Sequence, residues 1–372
     1  MQQNPFIISG YISPEYFCNR EEETTRMFNA IKNSRHITLF SPRRMGKTGL
    51  IRHLFYNTER EKEFIPVYLD IMATTCLREF SEIFGKAVLS ALGKNEAVMK
   101  KILKRLSALR LKLTIDHLTG EPALSLDLNN VREAEQSIDT IFRYLADQPK
   151  RIAIAIDEFQ QITNYPEKNL EAILRTHLQS VNNVSIIFSG NRKHILTDIF
   201  STPDRPFYNI TEMMEIEAIK PEIYKTFIIE KFTKGSISIS DQALDRIIEI
   251  TGLHTFYVQY FCNRLYSEYK EIEIDKAEQT LLAIVRENEP VYANYLNLLT
   301  SMQYRVLKAI AQNDGIDNPT SKEFLSKYNL GAASSVSQAI KSLSDKEFVF
   351  FSKNKYRLND VFLAQWIIYK TE

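Results

Sequence analysis

A three-layer α/β fold around a mainly parallel sheet is predicted by three observations in this 372-residue sequence. First, the β-prone run Ile37-Thr38-Leu39-Phe40 leads through Ser41-Pro42-Arg43-Arg44-Met45-Gly46-Lys47-Thr48 into Gly49-Leu50-Ile51-Arg52-His53-Leu54-Phe55, whose apolar spacing is helical. Second, the continuous apolar run Ile152-Ala153-Ile154-Ala155-Ile156 ends in Asp157-Glu158, as suits a strand covered on both faces in a parallel sheet. Third, strand-like and helical stretches alternate between and beyond these two landmarks. After Pro221 the chain turns helical, and its last segment, from Tyr295, reads as three helices and a hairpin.

The loop Ser41–Thr48 has the chemistry of a phosphate cradle, close to G-x-x-x-x-G-K-[ST]. Gly46 lets backbone N–H groups close around phosphates, Lys47 brings a compact positive charge, and Thr48 offers a hydroxyl to Mg²⁺. A helix starting here points its N-terminal N–H groups and positive dipole end at the anion. Ser41 stands where the first glycine of the pattern belongs, and serine tolerates positive φ less well than glycine. Arg43 and Arg44 are either extra charge near phosphate or solvated surface arginines. Asp157, at the end of its strand, is placed to hold Mg²⁺ through water beside Thr48, and Glu158, pointing elsewhere, to polarise an attacking water. A carboxylate pair in this position favours hydrolysis over phosphoryl transfer to a metabolite.

Composition narrows the class. With 44% hydrophobic and 25% charged residues the chain is an ordinary globular protein, long enough for two or three domains. A formal charge of +1 supplies no global field, so a nucleic-acid or membrane partner would need a local patch. Cys18, Cys76 and Cys262 are far apart and form no C-x-x-C, which fits a reducing, cytoplasmic setting. No apolar run reaches the length of a membrane span, no signal peptide is indicated, and no His or Cys cluster calls for a metal other than Mg²⁺.

In chain order, Glu21 to Ile31 is helix-compatible, with Met27, Phe28 and Ile31 on one side. Ile65–Leu69 is a second strand, and Thr74–Gly93 resumes helical spacing through Leu77, Phe80, Phe84, Val88 and Leu89. A Lys-rich helix is expected over about Glu96 to Arg110, its Lys100, Lys101, Lys104 and Arg105 forming a solvated face or meeting an acidic partner. Leu111–Ile115 and Ala123–Leu128 alternate around Thr119-Gly120-Glu121-Pro122 as a hairpin. Leu170–Gln179 is helical, Val184–Asn191 is a buried strand ending in small polar groups, and Glu212–Ala218 is a further strand. Helices follow at Tyr224–Phe232 and Asp241–Ile250. The final segment places helices at Ser301–Ala311, Ser321–Tyr328 and Ala332–Leu343, with the hairpin at Phe348–Phe351 and Tyr356–Leu358. It carries ten Lys and Arg against seven Asp and Glu over residues 295–372, a surplus of three. Its third helix offers Ser334, Ser335, Ser337, Gln338 and Lys341, a thin basis for duplex affinity, which rests on phosphate neutralisation.

Several of these stretches resemble the archaeal-type ATPases, a branch of the STAND class of P-loop NTPases related to AAA+ proteins. Phe17-Cys18-Asn19-Arg20-Glu21-Glu22-Glu23 is similar to the family's F-x-G-R-x-x-E opening with Asn19 for glycine, and Ser41–Thr48 resembles its G-P-R-R-x-G-K-T loop. The hairpin is similar to an insertion in bacterial members. The resemblance implies that the Arg20 segment borders the adenine; the alternative is a solvated, capped helix. It implies a γ-phosphate sensor at Asn191, with Ser189 second and a plain turn as the other reading. Arg205 falls where AAA+ proteins place an arginine finger, or is a loop arginine anchored to a carboxylate. Gly252-Leu253-His254-Thr255 resembles the family's Gly-x-His-Pro, with Thr255 in place of proline, so His254 is either a nucleotide contact or a helix-start residue.

These readings give an ASCE/AAA+-like P-loop NTPase core over 1–220, with an insertion near 94–130, a helical lid over 221–294 and a winged helix over 295–372. The expected ligands are ATP or ADP with Mg²⁺. Ser41 through Gly49, with Arg20 and His254, form the nucleotide set; Lys47, Glu158, Asn191 and Arg205 the catalytic set; Thr48 and Asp157 the metal set. The expected function is an ATP-hydrolysing switch that couples nucleotide state to a DNA or protein partner through the winged helix, with no membrane and with a homo-oligomer left open. The alternative is a poorly hydrolysing, nucleotide-dependent binding module.

Overall fold

The computed structural model describes residues 4–62, 64–93, 111–115, 122–126, 130–313 and 315–370, with 111–115 and 122–126 described by their backbone alone. The expected Lys-rich helix at Glu96–Arg110 and the turn at Thr119–Glu121 lie outside the described residues. The chain forms two compact units. One holds Arg20–Ser41 and Lys47–Glu217; the other takes the chain up to Asn19, Pro42–Gly46, and everything from Ala218 onward.

The first unit is a parallel sheet covered on both faces. Its strands are β1 (His36–Phe40), β2 (Phe64–Asp70), β5 (Arg151–Asp157), β6 (Val184–Gly190) and β7 (Thr211–Glu215), in the spatial order β2-β5-β6-β1-β7. All four neighbouring pairs run parallel. Strands β1 and β5 are therefore separated by β6 alone, and Phe40 pairs with Gly190 where the strands reach their C-terminal ends. Ligands of open parallel sheets bind at that edge. Burial explains the apolar runs: Ile152 through Asp157 and every residue of β6 are buried. Helices α1 (Glu21–Lys32), α2 (Lys47–Glu61), α3 (Leu77–Leu92) and α5 (Leu170–Ser180) fall close to the helical stretches read from the sequence.

Two helices of this unit have no counterpart in the sequence reading: α6 (Lys193–Ser201), and α4 (Val131–Ala146), which buries Ala134, Ser137, Ile138, Ile141, Phe142 and Leu145 along one face. The start of α4 is fixed by Asn130, whose side chain accepts the Glu133 N–H at 3.0 Å, a favourable N-cap. The hairpin strands β3 (Leu111–Ile115) and β4 (Pro122–Leu126) pair antiparallel, Leu113 opposite Leu124. The second strand of the hairpin thus starts one residue earlier than the alternation indicates, and the expected residues 127–128 lie outside the described residues.

The second unit is helical with two small sheets. It contains α7 (Pro221–Lys234), α8 (Asp241–Thr251), α9 (Thr255–Glu268) and α10 (Ile274–Asn297), with the two-residue strands β8 (Ser238–Ile239) and β9 (Glu271–Ile272) pairing parallel. Then follow α11 (Ser301–Ala311), α12 (Lys322–Lys327) and α13 (Ala333–Asp345), the antiparallel wing β10 (Val349–Ser352) and β11 (Lys355–Leu358), and α14 (Val361–Tyr369). The sequence separates a lid from a winged helix, yet one continuous hydrophobic core runs from Phe6 through Tyr224, Phe261 and Ile310 to Ile367. Among the described residues, no helix is long and apolar enough to cross a membrane.

Candidate active site

At the end of β1 the chain enters the loop and re-enters the sheet unit at Lys47, the first residue of α2. The left-handed backbone of the loop is carried by Arg44 (φ 66°) and Gly46 (φ 94°), not by Ser41. That resolves the serine substitution: the position that departs from the glycine pattern does not require positive φ, and the position that requires it most is Gly46. The Lys47 ammonium is buried and donates to the Ser41 carbonyl at 3.2 Å. The loop thus carries its own positive charge with the lysine stem enclosed.

Strand β5 delivers the acidic partner. Thr48 Oγ1 donates to Asp157 Oδ2 at 2.7 Å although 109 residues separate them. The same oxygen accepts Tyr68 OH from β2 at 2.9 Å, and Asp157 Oδ1 accepts the Glu158 N–H at 3.0 Å. Asp157 is only 3% exposed, whereas Thr48 is exposed. Burial, followed by the Asp157 charge, pushes the Tyr68 hydroxyl far above its ordinary range, so it stays a donor. Arg52 lies over the Tyr68 ring at 3.6 Å. Tyr68 escaped the sequence reading because it sat in an apolar strand stretch and nothing linked it to Asp157.

Glu158 follows the strand with φ 57°, a left-handed conformation that costs a non-glycine residue roughly 1–2 kcal/mol. Its Oε2 accepts from Gln160 Nε2, and Gln160 Nε2 also lies 3.3 Å from Asn191 Oδ1. Asn191 follows β6 directly, so the residues at the ends of β5 and β6 form one polar cluster. In that cluster Gln160 Oε1, Asn191 Nδ2 and Ser189 Oγ are buried and have no hydrogen-bond partner among the described residues.

The chain places the remaining sequence candidates in other settings. Arg20 has φ 71° at the start of α1, is 5% exposed and donates to Glu23 at 2.7 Å. Asn19 has φ 56°, the region asparagine tolerates best among non-glycine residues. Arg205 pairs with Glu171 at 3.0 Å and Asp198 at 3.5 Å. Burial, opposed by Arg205, raises the Glu171 carboxyl.

In the second unit, the loop segment 42–46 meets α9 and the wing. Phe256 N–H donates to the Arg44 carbonyl at 3.0 Å, and Thr255 Oγ1 donates to the Met45 carbonyl at 3.1 Å. The Thr255 side chain also lies against Gly46, within 3.4 Å of where a Cβ would be, so threonine in place of proline becomes a loop contact. The Arg44 guanidinium lies 4.9 Å from the Phe256 ring and 4.8 Å from the Tyr257 ring, donates to Tyr257 OH, and pairs with Asp360 at 3.3 Å. Arg43 pairs with Glu347 at 2.6 Å. His254, 7% exposed, has no partner for Nδ1, and burial with Arg357 and Arg44 nearby lowers its pKa to about 4. It is neutral and available as a hydrogen-bonding group rather than as a charge.

The residues present fit a nucleotide with Mg²⁺. Thr48 and Asp157 supply the oxygen donors that a small hard cation takes. No cluster of three or more His, Cys, Asp or Glu offers another metal centre among the described residues. The unpartnered amide and hydroxyl at Asn191 and Ser189 supply polar groups for a phosphate oxygen.

Comparison with known proteins agrees with this geometry. Residues 17–190 match the model described as an ATPase domain predominantly from Archaea, and residues 290–369 that described as a probable winged helix domain. Among solved structures, a Walker-type ATPase of Pyrococcus abyssi superposes with a TM-score of 0.65 at 17% identity, covering 98% of this chain and 99% of the other. The ORC2 protein of Aeropyrum pernix, solved as ADPNP–ADP complexes, gives 0.55 at 14% identity over 99% and 98%. The ORC1 protein of the same organism, solved in complex with DNA, gives 0.51 at 13% identity over 96% and 94%. These likenesses establish the fold. Among curated proteins, none matches the chain in sequence.

Proposed function

We propose, for a chain that carries an ATPase domain of the archaeal type and a C-terminal winged helix domain, that it is a Mg²⁺-dependent ATP-hydrolysing switch. The observation that carries hydrolysis is the joining of Thr48 to Asp157 at 2.7 Å beside Glu158, which follows with a left-handed backbone. Lys47 and the loop N–H groups hold the outer phosphates, and Asn191 is the candidate donor to the γ-phosphate. Thr48 and Asp157 would hold Mg²⁺, which would supply neutralisation of phosphate oxygen charge. Glu158 orients water and accepts its proton, while the lysine and the loop dipoles balance the charge that develops.

The switch is supported by the fate of the loop arginines. Arg43 and Arg44 are engaged by Glu347 and Asp360 of the winged helix segment. A phosphate arriving at the loop competes for the same guanidinium groups, so nucleotide and wing bias one equilibrium in opposite directions. The partner reads that change. On α13, Ser334, Ser337, Gln338 and Lys341 are exposed at helical spacing, a polar face suited to duplex DNA or to a protein surface. Three free cysteines fit a cytoplasmic setting. The test is ATP binding and phosphate release measured together on the natural chain, Lys47→Ala and Glu158→Gln. Binding is expected to vanish in Lys47→Ala, and release to fall at least 100-fold in Glu158→Gln with binding kept. Tight binding without release in the natural chain, unchanged by Glu158→Gln, would select the static binding module instead.

A further inference from the structure

We infer that Gln160 is a positioning residue for hydrolysis, joining the water-orienting Glu158 to Asn191; this rests on the ATPase reading above. Gln160 lies in the 3-10 turn Phe159–Asn164 that follows Glu158, and it is 7% exposed. A glutamine amide has two N–H donors. Here its nitrogen reaches Glu158 Oε2 and Asn191 Oδ1, groups that end two different strands and stand 33 residues apart in sequence.

The consequence for Asn191 is directional. Because its Oδ1 faces Gln160, its Nδ2 is the end left over, and that nitrogen is buried without a partner among the described residues. Gln160 therefore turns Asn191 so that it presents a donor, the polarity that an anionic phosphate oxygen needs. By donating to Glu158 Oε2, it also fixes the orientation of that carboxylate. One buried amide thereby sets both groups that face the reacting phosphate from the sheet edge, and it couples them, since neither can turn without breaking a bond to the other's partner.

The neighbouring backbone makes room for this arrangement. A Cβ at Gly190 would come within 2.0 Å of Gln160 Oε1 and 3.1 Å of Leu196 Cδ1. Glycine at the end of β6 is thus required by the carboxamide, not by its own φ, which is not in the left-handed region. Gln160 Oε1 is itself buried without a partner among the described residues. A side chain selected for stability alone would hydrogen-bond that oxygen or be apolar.

The experiment measures phosphate release, ADP affinity and thermal unfolding for the natural chain, Gln160→Ala, Gly190→Ala, Glu158→Gln and the double variant Gln160→Ala/Glu158→Gln. Gln160→Ala is expected to lower kcat about tenfold or more while ADP affinity stays within twofold. Gly190→Ala, which leaves Gln160 in the chain but takes its space, is expected to reproduce the loss, and it decides the question if Gln160→Ala fails to fold. In the Glu158→Gln background, Gln160→Ala is expected to cost clearly less than in the natural chain, because the part of its effect that runs through Glu158 is already lost and only the part through Asn191 remains. A merely structural glutamine would lower both backgrounds equally. Both variants within twofold of the natural kcat, or full additivity in the double variant, overturns the inference while leaving the ATPase reading intact. No phosphate release from the natural chain overturns both.

Discussion

Asp360 has two tasks that one substitution separates. Its Oδ1 caps α14, accepting the Phe362 and Leu363 N–H groups at 3.0 and 3.1 Å, and its Oδ2 pairs with Arg44 at 3.3 Å. Asn at this position keeps an acceptor for the cap and removes the charge, since Asn and Asp cap equally well. The Arg44 and Asp360 side chains are 42% and 23% exposed, so the pair contributes at the surface scale, about 0.5–1 kcal/mol. If a contact made without nucleotide must break when phosphate arrives, removing it strengthens ATP binding by that same free energy. Asp360→Asn is therefore expected to tighten ATP binding roughly two- to fivefold in a calorimetric titration. It should lower stability to denaturant by no more than about 1 kcal/mol. Asp360→Ala loses the cap as well and should destabilise by about a further 1 kcal/mol. Its ATP affinity should nevertheless match that of Asp360→Asn. An ATP affinity that stays unchanged or weakens in Asp360→Asn while stability falls would refute the competition between wing and phosphate.

Two further predictions concern the sheet unit. Arg205→Ala leaves Glu171, 8% exposed, without its cation, and is expected to destabilise by about 2 kcal/mol, discounted for Arg205 being a third exposed. Hydrolysis by the folded fraction should stay within a few-fold of natural; a 100-fold loss there would restore the arginine-finger role. His36 on β1 is buried, its Nδ1 accepts the Ile186 N–H at 3.1 Å, and burial lowers its pKa from 6.5 to about 4. Between those values the unfolded chain binds the proton and the folded one does not, so stability is full above pH 6.5 and declines as pH falls toward 4. The shift sets an upper scale of roughly 3 kcal/mol for this loss. Urea unfolding at pH 7, 5.5 and 4.5 should show it, and His36→Gln, which cannot titrate, should flatten that slope; an equal slope in both proteins would refute the assignment.

How much of the site could be read from the chain depends on whether its parts are local. The loop Ser41–Thr48 and the pair Asp157-Glu158 declare themselves because strand, turn and helix impose residue types on adjacent positions. The parallel sheet follows from the same source, since strands buried on both faces carry unbroken apolar runs such as Ile152–Ile156. Local rules also say where a substitution is tolerable, but only if the strained position is known. The pattern assigns the strain to Ser41; the backbone puts it at Arg44 and Gly46, and the serine costs nothing in φ.

What lies hidden is what the fold brings together over distance. Tyr68 reaches Asp157 because β2 and β5 are neighbours in register, Asp70 opposite Asp157, a pairing that no spacing encodes. Arg44 meets Asp360 across 316 residues and Tyr257 across 213, contacts that neither of its two readings in the sequence, phosphate charge or surface cation, contains. Gln160 is a third kind of omission. It stands two positions after Glu158, yet a glutamine in a 3-10 turn has no distinguishing pattern, and its meaning comes from Asn191 and Gly190 at the end of the adjacent strand. Sequence motifs therefore name the groups proposed to touch the nucleotide, whereas the groups proposed to aim them are distributed through the sheet edge. A search for such residues is better directed at buried amides with one unsatisfied atom beside a motif than at the motif itself. Gln160 and Asn191 meet that description in one cluster, which is why the nucleotide-facing chemistry is expected to be most sensitive there.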